Sequence, residues 1–453
     1  MRGVVSTFEA YTLAKEDASV ESELIQILKG SEVGKTIKLH RLNQNRTLEE
    51  TAQGICSISY LSKIENGLTK SSEEIVQLLL HRLDIPVEVL EEGVDEELLE
   101  QELHEWYTVI MQRETDQATE LYVKLKQKLS TLSTPSILAL FKLYEVRYHL
   151  LMRHFAEVPV LLDKLERMQD LFEEKHQYYY IKFSGLYHNM QERYREAQQY
   201  YKKALALVHQ NTLSDSERAD LYFITAINES SLQNVTLSLH YARLALNLYT
   251  IQFDFKRSGD CQILLGICYK RIHQFEQAEQ CFQLAVKAAG NLQSSYLKGI
   301  AYHNLGALHA ALKHHEKAID YFEKSLVFKD DHNVKGKLTS IASIVESLFE
   351  LSERGRALEW IDRGLIMIQQ QNDFQILRYY FQVYKYRVLE DLISLEHYLK
   401  ETVIPYFIDN ENQFYIGLYC ELLAECLQKH KRYKDACYYL TLANESYKKL
   451  SIT

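Results

Sequence analysis

Residues that break helices are scarce in this sequence. It contains only 4 proline and 16 glycine residues among 453, against 32 tyrosines. Proline cannot continue a helix and glycine weakens one. Their scarcity therefore predicts many helices joined by short turns, in a chain long enough for two or three domains.

Long apolar segments are also missing. No run approaches the roughly 20 apolar residues that a membrane-spanning helix requires. Glu9 interrupts the first apolar stretch, which argues against a signal peptide. We therefore expect a cytoplasmic protein without a membrane partner.

Motifs of catalysis and metal binding are sparse as well. The 7 cysteines are odd in number and none forms a Cys-x-x-Cys pair, which is typical of reduced thiols in a cytosolic protein. No glycine-rich nucleotide loop, zinc-protease motif or Ser-His-Asp order is present. We expect no enzymatic activity, no metal and no cofactor.

Charge is unevenly distributed along the chain. The net charge is −10, yet residues 33–70 carry six basic and three acidic residues, and residues 91–105 carry eight acidic residues without a lysine or arginine. A basic island on an acidic chain is compatible with one DNA-facing module, because DNA senses local charge. The acidic run is interpreted as a solvated helix face.

Two capping boxes predict helix starts near the N-terminus. Thr47-Leu-Glu-Glu50 begins a helix over 48–53, and Ser71-Ser-Glu-Glu74 begins a helix through Leu83. In such a box the hydroxyl accepts a hydrogen bond from the third amide and the glutamate bonds back. Pro86 is expected to end this unit.

A tight turn separates the first of these helices from another. Gly54 interrupts the chain, Ser57 is an N-cap residue for a helix through Glu65, and Asn66-Gly67 is a typical stop. Two short helices separated in this way follow the helix-turn-helix plan. Helical spacing predicts inward-facing side chains at Val33, Ile37, Leu42, Ala52, Ile55, Leu61 and Ile64.

The helix over 57–65 has the features of a DNA-reading helix. Small hydroxyls allow close approach to base edges, a lysine reaches phosphate or guanine, and an isoleucine contacts a thymine methyl. The predicted base-facing residues are Ser57, Ile58, Ser59, Tyr60 and Lys63. The predicted anchors to the DNA backbone are Thr47, Lys35, Lys38 and Lys70. The alternative is a small helical domain that packs on a protein.

The remaining 350 or so residues contain a repeat. The stretch LLGICYKRIHQFEQAEQCFQLAVK carries the tetratricopeptide spacing L-G-x-x-Y…A-x-x-x-F-x-x-A. Small residues allow the two helices of a hairpin to approach, and large ones fill the gap to the next hairpin. The second-helix alanine recurs at Ala118, Ala197, Ala278, Ala318, Ala357 and Ala436.

The intervals between these alanines are one or two multiples of about 40 residues. We infer nine units, three of them degenerate and centred near residues 158, 238 and 396. A HEAT-like array shares this period, but the Leu-Gly and Ala-Phe spacings favour tetratricopeptide repeats. The predicted fold is all-α: an N-terminal helix-turn-helix domain followed by a right-handed tetratricopeptide-repeat solenoid of about nine repeats.

Such a solenoid has an inner wall of first helices, which suits an extended peptide. Carboxamides there pair with peptide amides, and basic groups contact acidic side chains or a terminal carboxylate. The predicted ligand-binding residues are Asn189, Asn228, Asn304, Lys182, Lys270, Arg271 and His303. Each of them is alternatively an exposed or helix-packing polar residue.

The motif YLSKIENG at 60–67 resembles the end of the recognition helix in Xre/Cro-type domains. The interval from Ala52 to Leu61 is one residue shorter than usual, and Leu48 replaces a glutamine that often begins helix two. Such a domain followed by a long tetratricopeptide array resembles the RRNPP family of quorum-sensing regulators. Length and repeat number are most similar to its NprR branch, the PlcR branch being shorter.

The resemblance implies a cytoplasmic regulator whose array binds a short re-imported signalling peptide that changes operator binding. It also implies asparagine clamps on the peptide and a homodimer or higher homo-oligomer on palindromic DNA half-sites. Rap-type relatives act on response regulators. A Rap-like modulator of a response regulator and a tetratricopeptide scaffold without sequence-specific DNA reading are therefore the alternatives.

The expected domain organisation has four parts. They are an extension over 1–28, the helix-turn-helix domain over 29–91, an acidic linker or helix over 92–104, and the peptide-binding and dimerisation array over 105–453.

Overall fold

The structure is a computed structural model of the chain. It describes residues 30–69, 71–85, 96–129, 134–208, 213–330, 333–369 and 374–452. Every regular element in these ranges is helical, which confirms the predicted fold class. The chain divides into two compact units, Met1–Ser214 and Asp215–Thr453. None of the described helices combines the length and apolar character needed to cross a lipid bilayer.

Four short helices form the N-terminal domain. They are α1 (Gly30–Asn43), α2 (Leu48–Ala52), α3 (Ile58–Glu65) and α4 (Glu73–Arg82). Their shared core includes the predicted residues Val33, Ile37, Ala52, Leu61 and Ile64, all buried. Ile55 is only partly buried, and Leu39 rather than Leu42 is fully buried on α1.

The predicted caps are confirmed at α2 and α3 but not at α4. Thr47 forms a complete capping box with Glu50, and the Ser57 hydroxyl accepts from the Tyr60 amide. α4 begins one residue later than predicted, with Ser72 as the N-cap and no side-chain cap bond. Glu74 therefore falls at the second helical position, where it cannot bond back to the cap. Pro86 and Lys70 lie outside the described residues.

The first unit continues with three helical hairpins. Their helices are α5 (Glu96–Gln112), α6 (Thr115–Leu129), α7 (Pro135–Met152), α8 (Glu157–Arg167), α9 (Glu174–Met190) and α10 (Tyr194–Val208), with a 3-10 turn at Gln169–Leu171. The segment expected to be an acidic linker is largely the first half of α5. Leu99, Leu103 and Trp106 recur at helical spacing and are buried, so this stretch is part of the first hairpin.

The second unit contains six more hairpins. Their helices are α11 (Asp215–Ser231), α12 (Val235–Ile251), α13 (Phe255–Arg271), α14 (Phe275–Asn291), α15 (Ser295–Ala311), α16 (His315–Val327), α17 (Val334–Glu350), α18 (Arg354–Gln369), α19 (Gln375–Val388), α20 (Leu392–Tyr398), α21 (Ile404–Asp409), α22 (Gln413–Lys429) and α23 (Tyr433–Ile452). A π-helical turn, Leu399–Val403, joins α20 to α21. Pro405 follows that turn and lacks the amide hydrogen that a regular helix needs there, which accounts for the irregularity.

Nine hairpins are therefore present among the described residues, as the repeat predicted. The three degenerate units keep the buried second-helix position, with Val158, Ser238 and Leu395 where other units have alanine. In the second unit the first helices α11, α13, α15, α17 and α19 contact one another in succession. We call the surface that these five helices build side by side the first-helix wall.

The hairpin turns have a common backbone conformation that the sequence did not reveal. Each contains one non-glycine residue with a positive φ between 56° and 62°. Such a left-handed residue ends a helix by directing following amides back to its last carbonyls, as Gln274 N does to Tyr269 O at 2.9 Å. These residues are Arg113, Arg153, Glu192, Gln233, His273, Lys313, Ser352, Glu390 and Lys431.

Candidate nucleic-acid interface and ligand wall

A buried ion pair fixes the C-terminal end of α3. Arg41 on α1 donates from Nε and Nη2 to the two carboxylate oxygens of Glu65, at 2.6 and 2.7 Å. Both side chains are buried, and Arg41 also donates to the Arg46 carbonyl at 3.1 Å. A paired guanidinium and carboxylate hold each other in a planar, two-bond geometry. The ion pair therefore fixes the orientation of α3 through its buried face, which packs against α1.

The backbones of α1 and α3 also touch directly. A Cβ atom placed on Gly34 would lie 2.0 Å from the Ile64 carbonyl oxygen. No side chain is accommodated at that distance, because the obstacle is backbone rather than a flexible side chain. Glycine at this position is what allows α3 to rest on α1.

The turn between α2 and α3 requires glycine for a different reason. Gly54 has a φ of +75°, and no atom lies within 4 Å of the position of a Cβ. Glycine is favoured here because of the left-handed backbone and not because a side chain would clash. The amides of Ile55 and Cys56 bond to the Ala52 carbonyl at 2.9 and 3.0 Å. Arg82 of α4 donates to the Gln53 carbonyl at 2.9 Å and closes the end of α2.

Four of the predicted base-facing residues share one outer surface. Ser57, Ile58, Ser59 and Lys63 are exposed. Because the Ser57 hydroxyl accepts from the Tyr60 amide at 3.2 Å, it keeps its own proton for a further acceptor. Tyr60 differs, since it is half-buried and packs against the domain core. The surface is rich in hydroxyls and carries one lysine.

Among the predicted backbone anchors, Lys35 is exposed, whereas two others have partners within the protein. The Lys38 ammonium lies 2.9 Å from the Asp170 carboxylate of the 3-10 turn. The Thr47 hydroxyl lies 3.0 Å from the Glu50 carboxylate and accepts the Glu50 amide at 3.1 Å. A phosphate contact by Lys38 or Thr47, which stays a prediction, would have to replace these bonds within the protein.

The negatively charged Glu50 carboxylate lies beside Thr47 and would repel a phosphate. Hydrogen bonds from the Thr47 backbone and hydroxyl, followed by the charge of Arg46, hold the pKa of Glu50 below its ordinary value. Its negative charge therefore persists at neutral pH. A phosphate near the start of α2 would be repelled by this charge.

Two predicted peptide contacts are inside the protein instead. Lys182 of α9 is fully buried, with Nζ 3.2 Å from the Tyr107 hydroxyl and close to the Tyr178 ring. Asn228 of α11 is also fully buried. Both expectations of direct access to a ligand are corrected by this burial. Asn189, near the end of α9, is half-buried.

The other predicted contacts lie on the first-helix wall. Lys270 and Arg271 end α13, and Arg271 donates from Nη1 to the Ser230 hydroxyl of α11 at 2.9 Å. His303 and Asn304 lie on α15 and are half-buried. Asn304 donates to the Ile300 carbonyl at 3.0 Å.

A lysine that the sequence did not single out joins this group. Lys329, just after α16, lies with Nζ 2.6 Å from the Ser340 hydroxyl, which is also 3.0 Å from His303 Nδ1. Burial lowers the pKa of Lys329 to about 8. Burial, then the charges of Lys329 and Lys270, lower the pKa of His303 to about 3. Lys329 stands in a short loop without helical periodicity, so the repeat pattern gave no signal for it.

These features define a class of protein: a helix-turn-helix domain joined to an array of tetratricopeptide-like hairpins. Comparison with family models gives the same division. Residues 37–90 match the helix-turn-helix model and residues 259–327 the tetratricopeptide repeat. Residues 93–153 match the N-terminal region of response regulator aspartate phosphatase H.

Similarity to characterised proteins extends over most of the chain. The chain is 33% identical over 391 residues to the transcriptional activator NprA of Geobacillus stearothermophilus, which covers 85% of this chain and 96% of NprA. The apo form of the quorum sensor NprR from B. thuringiensis superposes with a TM-score of 0.69 at 20% identity, covering 78% of this chain and 99% of NprR. NprR in complex with its cognate peptide NprX gives 0.57 at 20% identity, with the same 78% and 99% coverage. The chain belongs to the RRNPP family of peptide-responsive, quorum-sensing regulators, as the sequence predicted.

Proposed function

We propose that the chain is a cytoplasmic transcriptional regulator that reads operator DNA with α3 and is controlled by a short signalling peptide bound to its repeats. The principal support is the exposed face of Ser57, Ser59 and Lys63 on a helix whose opposite side is fixed by Arg41 and Gly34. A reading helix must be held rigidly to select base edges. NprA, described as a transcriptional activator, adds support from its similarity.

Two copies of the domain are needed for useful affinity. One short helix with a single lysine supplies few contacts, and helix-turn-helix proteins usually meet a two-fold operator as dimers. Lys35 and Lys63 are the exposed lysines of the described domain. A homodimer therefore brings four such lysines to palindromic half-sites, and we expect correspondingly strong salt dependence of the affinity.

The peptide controls this binding through the array. A ligand shifts a conformational equilibrium only by its different affinities for the two states. A peptide that spans several first helices stabilises one arrangement of neighbouring hairpins, and thereby one spacing of the two reading helices in the dimer. In this scheme the protein performs no chemistry on its ligands.

Selection from a random duplex-DNA pool, followed by fluorescence anisotropy, tests DNA reading. The Ser59→Ala/Lys63→Ala double variant should lose about 1–3 kcal/mol of specific affinity per half-site. Lys287→Ala, which removes an exposed lysine from α14, is the matched control and should bind like the unmodified chain. Equal binding by all three proteins would place DNA reading elsewhere.

Calorimetry with synthetic octapeptides tests the second half of the proposal. Asn304→Ala should weaken the binding of an active peptide by about 1–3 kcal/mol through the loss of a carboxamide clamp. Unchanged peptide affinity in that variant would show that Asn304 does not contribute to peptide binding.

A second function is favoured by one specific match. Residues 93–153, the region of α5 to α7, are similar to the N-terminal region of a response regulator phosphatase. We propose, as the second candidate, that the chain acts on a response regulator through these helices. The lifetime of the aspartyl phosphate on purified receiver domains, measured with and without the protein, tests this activity directly.

A further inference from the structure

Basic groups accumulate on the first-helix wall without acidic partners. Lys270, Arg271, His303 and Lys329 lie there, on or beside α13, α15 and α16. Among the described residues, no ion pair joins any of the four to an aspartate or glutamate. Because the chain as a whole carries a net charge of −10, this local excess of positive charge is not a consequence of composition.

The same unit pairs its charges elsewhere. Arg257, at the start of α13, is buried with Asp220 at 3.9 Å and Asp260 at 3.8 Å. Lys324 on the outer side of α16 binds Asp320 at 2.6 Å. The half-buried basic groups around His303 differ from these two sites, because no carboxylate pairs with them among the described residues.

Ser340 holds two of these groups side by side. Its hydroxyl lies 2.6 Å from the Lys329 ammonium and 3.0 Å from His303 Nδ1, and Lys329 also donates to the Gly336 carbonyl at 2.8 Å. An ammonium has three protons and an imidazole has two nitrogens. One proton of Lys329 and Nε2 of His303 thus remain for a ligand from outside the protein.

A half-buried positive charge without a counter-ion is unfavourable, because burial removes hydration and nothing replaces it. An anion bound between these groups would supply the missing partner.

We propose that Lys270, His303 and Lys329 form a subsite for one carboxylate of the peptide ligand. The proposal rests on the peptide-binding function proposed above and adds the chemistry of the ligand: an active peptide presents a carboxylate here, from its C-terminus or from an aspartate or glutamate side chain. A neutral or purely cationic peptide would leave the basic group uncompensated.

If these lysines only stabilise the fold, replacing them should lower the melting temperature of the ligand-free protein. Lys329 ties the end of α16 to α17 through Gly336 and Ser340, so its replacement alone does not separate the two roles. Lys270 has no such bond among the described residues. Lys270→Met should raise the melting temperature of the ligand-free protein by about 2–4 °C if the ammonium is kept for a ligand. A lower melting temperature would show that the lysine stabilises the fold and would overturn the proposal.

Small capped probes test the subsite in the full chain. N-acetyl-Ala-Ala carries one terminal carboxylate, N-acetyl-Asp-Ala-amide carries one side-chain carboxylate, and N-acetyl-Ala-Ala-amide carries none. Mass spectrometry measures acetylation of Lys329 by acetic anhydride relative to the exposed Lys313. At about ten times a millimolar Kd, a bound carboxylate should slow labelling of Lys329 roughly tenfold. The neutral probe should have no effect, and the better of the two acidic probes identifies the source of the carboxylate.

Variants decide whether protection comes from this site. Lys270→Met and His303→Gln should reduce the protection of Lys329 to less than half, whereas Lys324→Met on the outer side of α16 should leave it intact. Equal protection in all variants, or by the neutral probe, would overturn the proposal.

The outcome separates the subsite from the proposed function. If octapeptides bind and control DNA while the probes never protect Lys329, only the carboxylate subsite is wrong. If the acidic probes protect Lys329 but no octapeptide binds, the subsite stands and peptide control fails.

Discussion

The helix-turn-helix domain and the first-helix wall treat buried charge in opposite ways. In the domain, Arg41 is fully matched by Glu65, and Arg82 is bonded to the carbonyls that end α2. On the wall, His303 and Lys329 bond to the Ser340 hydroxyl and Lys329 bonds also to the Gly336 carbonyl. Among the described residues, no carboxylate forms an ion pair with either of them or with Lys270. The buried charge of the domain is thus matched within the protein, whereas the half-buried lysines of the wall have no matching carboxylate.

The largest effect is expected where a matched charge is broken. Glu65→Gln leaves Arg41 buried without its carboxylate and should cost about 3–5 kcal/mol of domain stability. The double variant Arg41→Met/Glu65→Met removes both charges and should cost much less. Hydrogen exchange of the α1 and α3 amides measures both. Equal losses in the two variants would show that packing, not charge, dominates this contact.

Backbone contact in the domain gives the next effect. Gly34→Ala places a methyl group 2.0 Å from the Ile64 carbonyl and should destabilise the domain by about 1–3 kcal/mol or more. Gly54→Ala meets no neighbour and should cost only about 1 kcal/mol from its left-handed backbone. The pair can be compared by thermal unfolding and DNA affinity. A larger effect at Gly54 would contradict the assignment.

On the wall, the pH dependence of stability reports the burial of the neutral His303 ring near two lysines. The pKa of His303 is about 3 in the folded chain against an ordinary value of 6.5. The unfolded chain therefore binds more protons between these pH values, and stability falls as the pH decreases through this window. None of the groups that face His303 changes its charge between pH 3 and 6.5. These groups are Lys270, Lys329, Ser340 and Phe322.

His303→Gln should remove this contribution. The decrease in melting temperature between pH 7 and 4.5 should be smaller by about 3 °C in the variant. His273→Gln, which replaces an exposed histidine in a turn, serves as the control and should follow the unmodified profile. Parallel profiles for all three proteins would show that His303 is not shielded from protons.

The smallest effect concerns the turns, where the two regions also differ. The described part of the domain has glycine at the left-handed positions 54 and 67 and other residues at Asn45 and Asp84, whereas none of the nine left-handed hairpin-turn residues is glycine. Lys313→Gly should therefore stabilise the array by about 0.5–1 kcal/mol, because glycine adopts this conformation without steric cost. Lys317→Gly inside α16 should destabilise it by about 1 kcal/mol. Chemical denaturation compares the two.

The parts of the fold with periodic signals were predictable. The capping box at Thr47, the stop at Gly67 and the nine hairpins follow from local rules that packing did not override. The pairing of Arg41 with Glu65 was also accessible, because Arg41 continues the four-residue spacing of Val33 and Ile37 on the inner face of α1.

Other features depend on tertiary packing and carried no such signal. Asn228 and Lys182 differ from Asn304 and Lys270 only in helical phase, which a sequence fixes to within a residue or two. Lys329 lies in the loop between α16 and α17, which has no helical periodicity. Its ammonium contacts Ser340 on the first helix of the next hairpin. The left-handed hairpin turns were hidden because their residues share no side-chain type.

The contact of Gly34 with Ile64 has a consequence for how any signal is transmitted. Since the backbones of α1 and α3 meet with no side chain between them, a shift of α3 against α1 would require the core of the domain to repack. If α3 reads DNA as proposed, a signal from the array would then act by moving the helix-turn-helix domain as a unit rather than by reorienting α3 inside it.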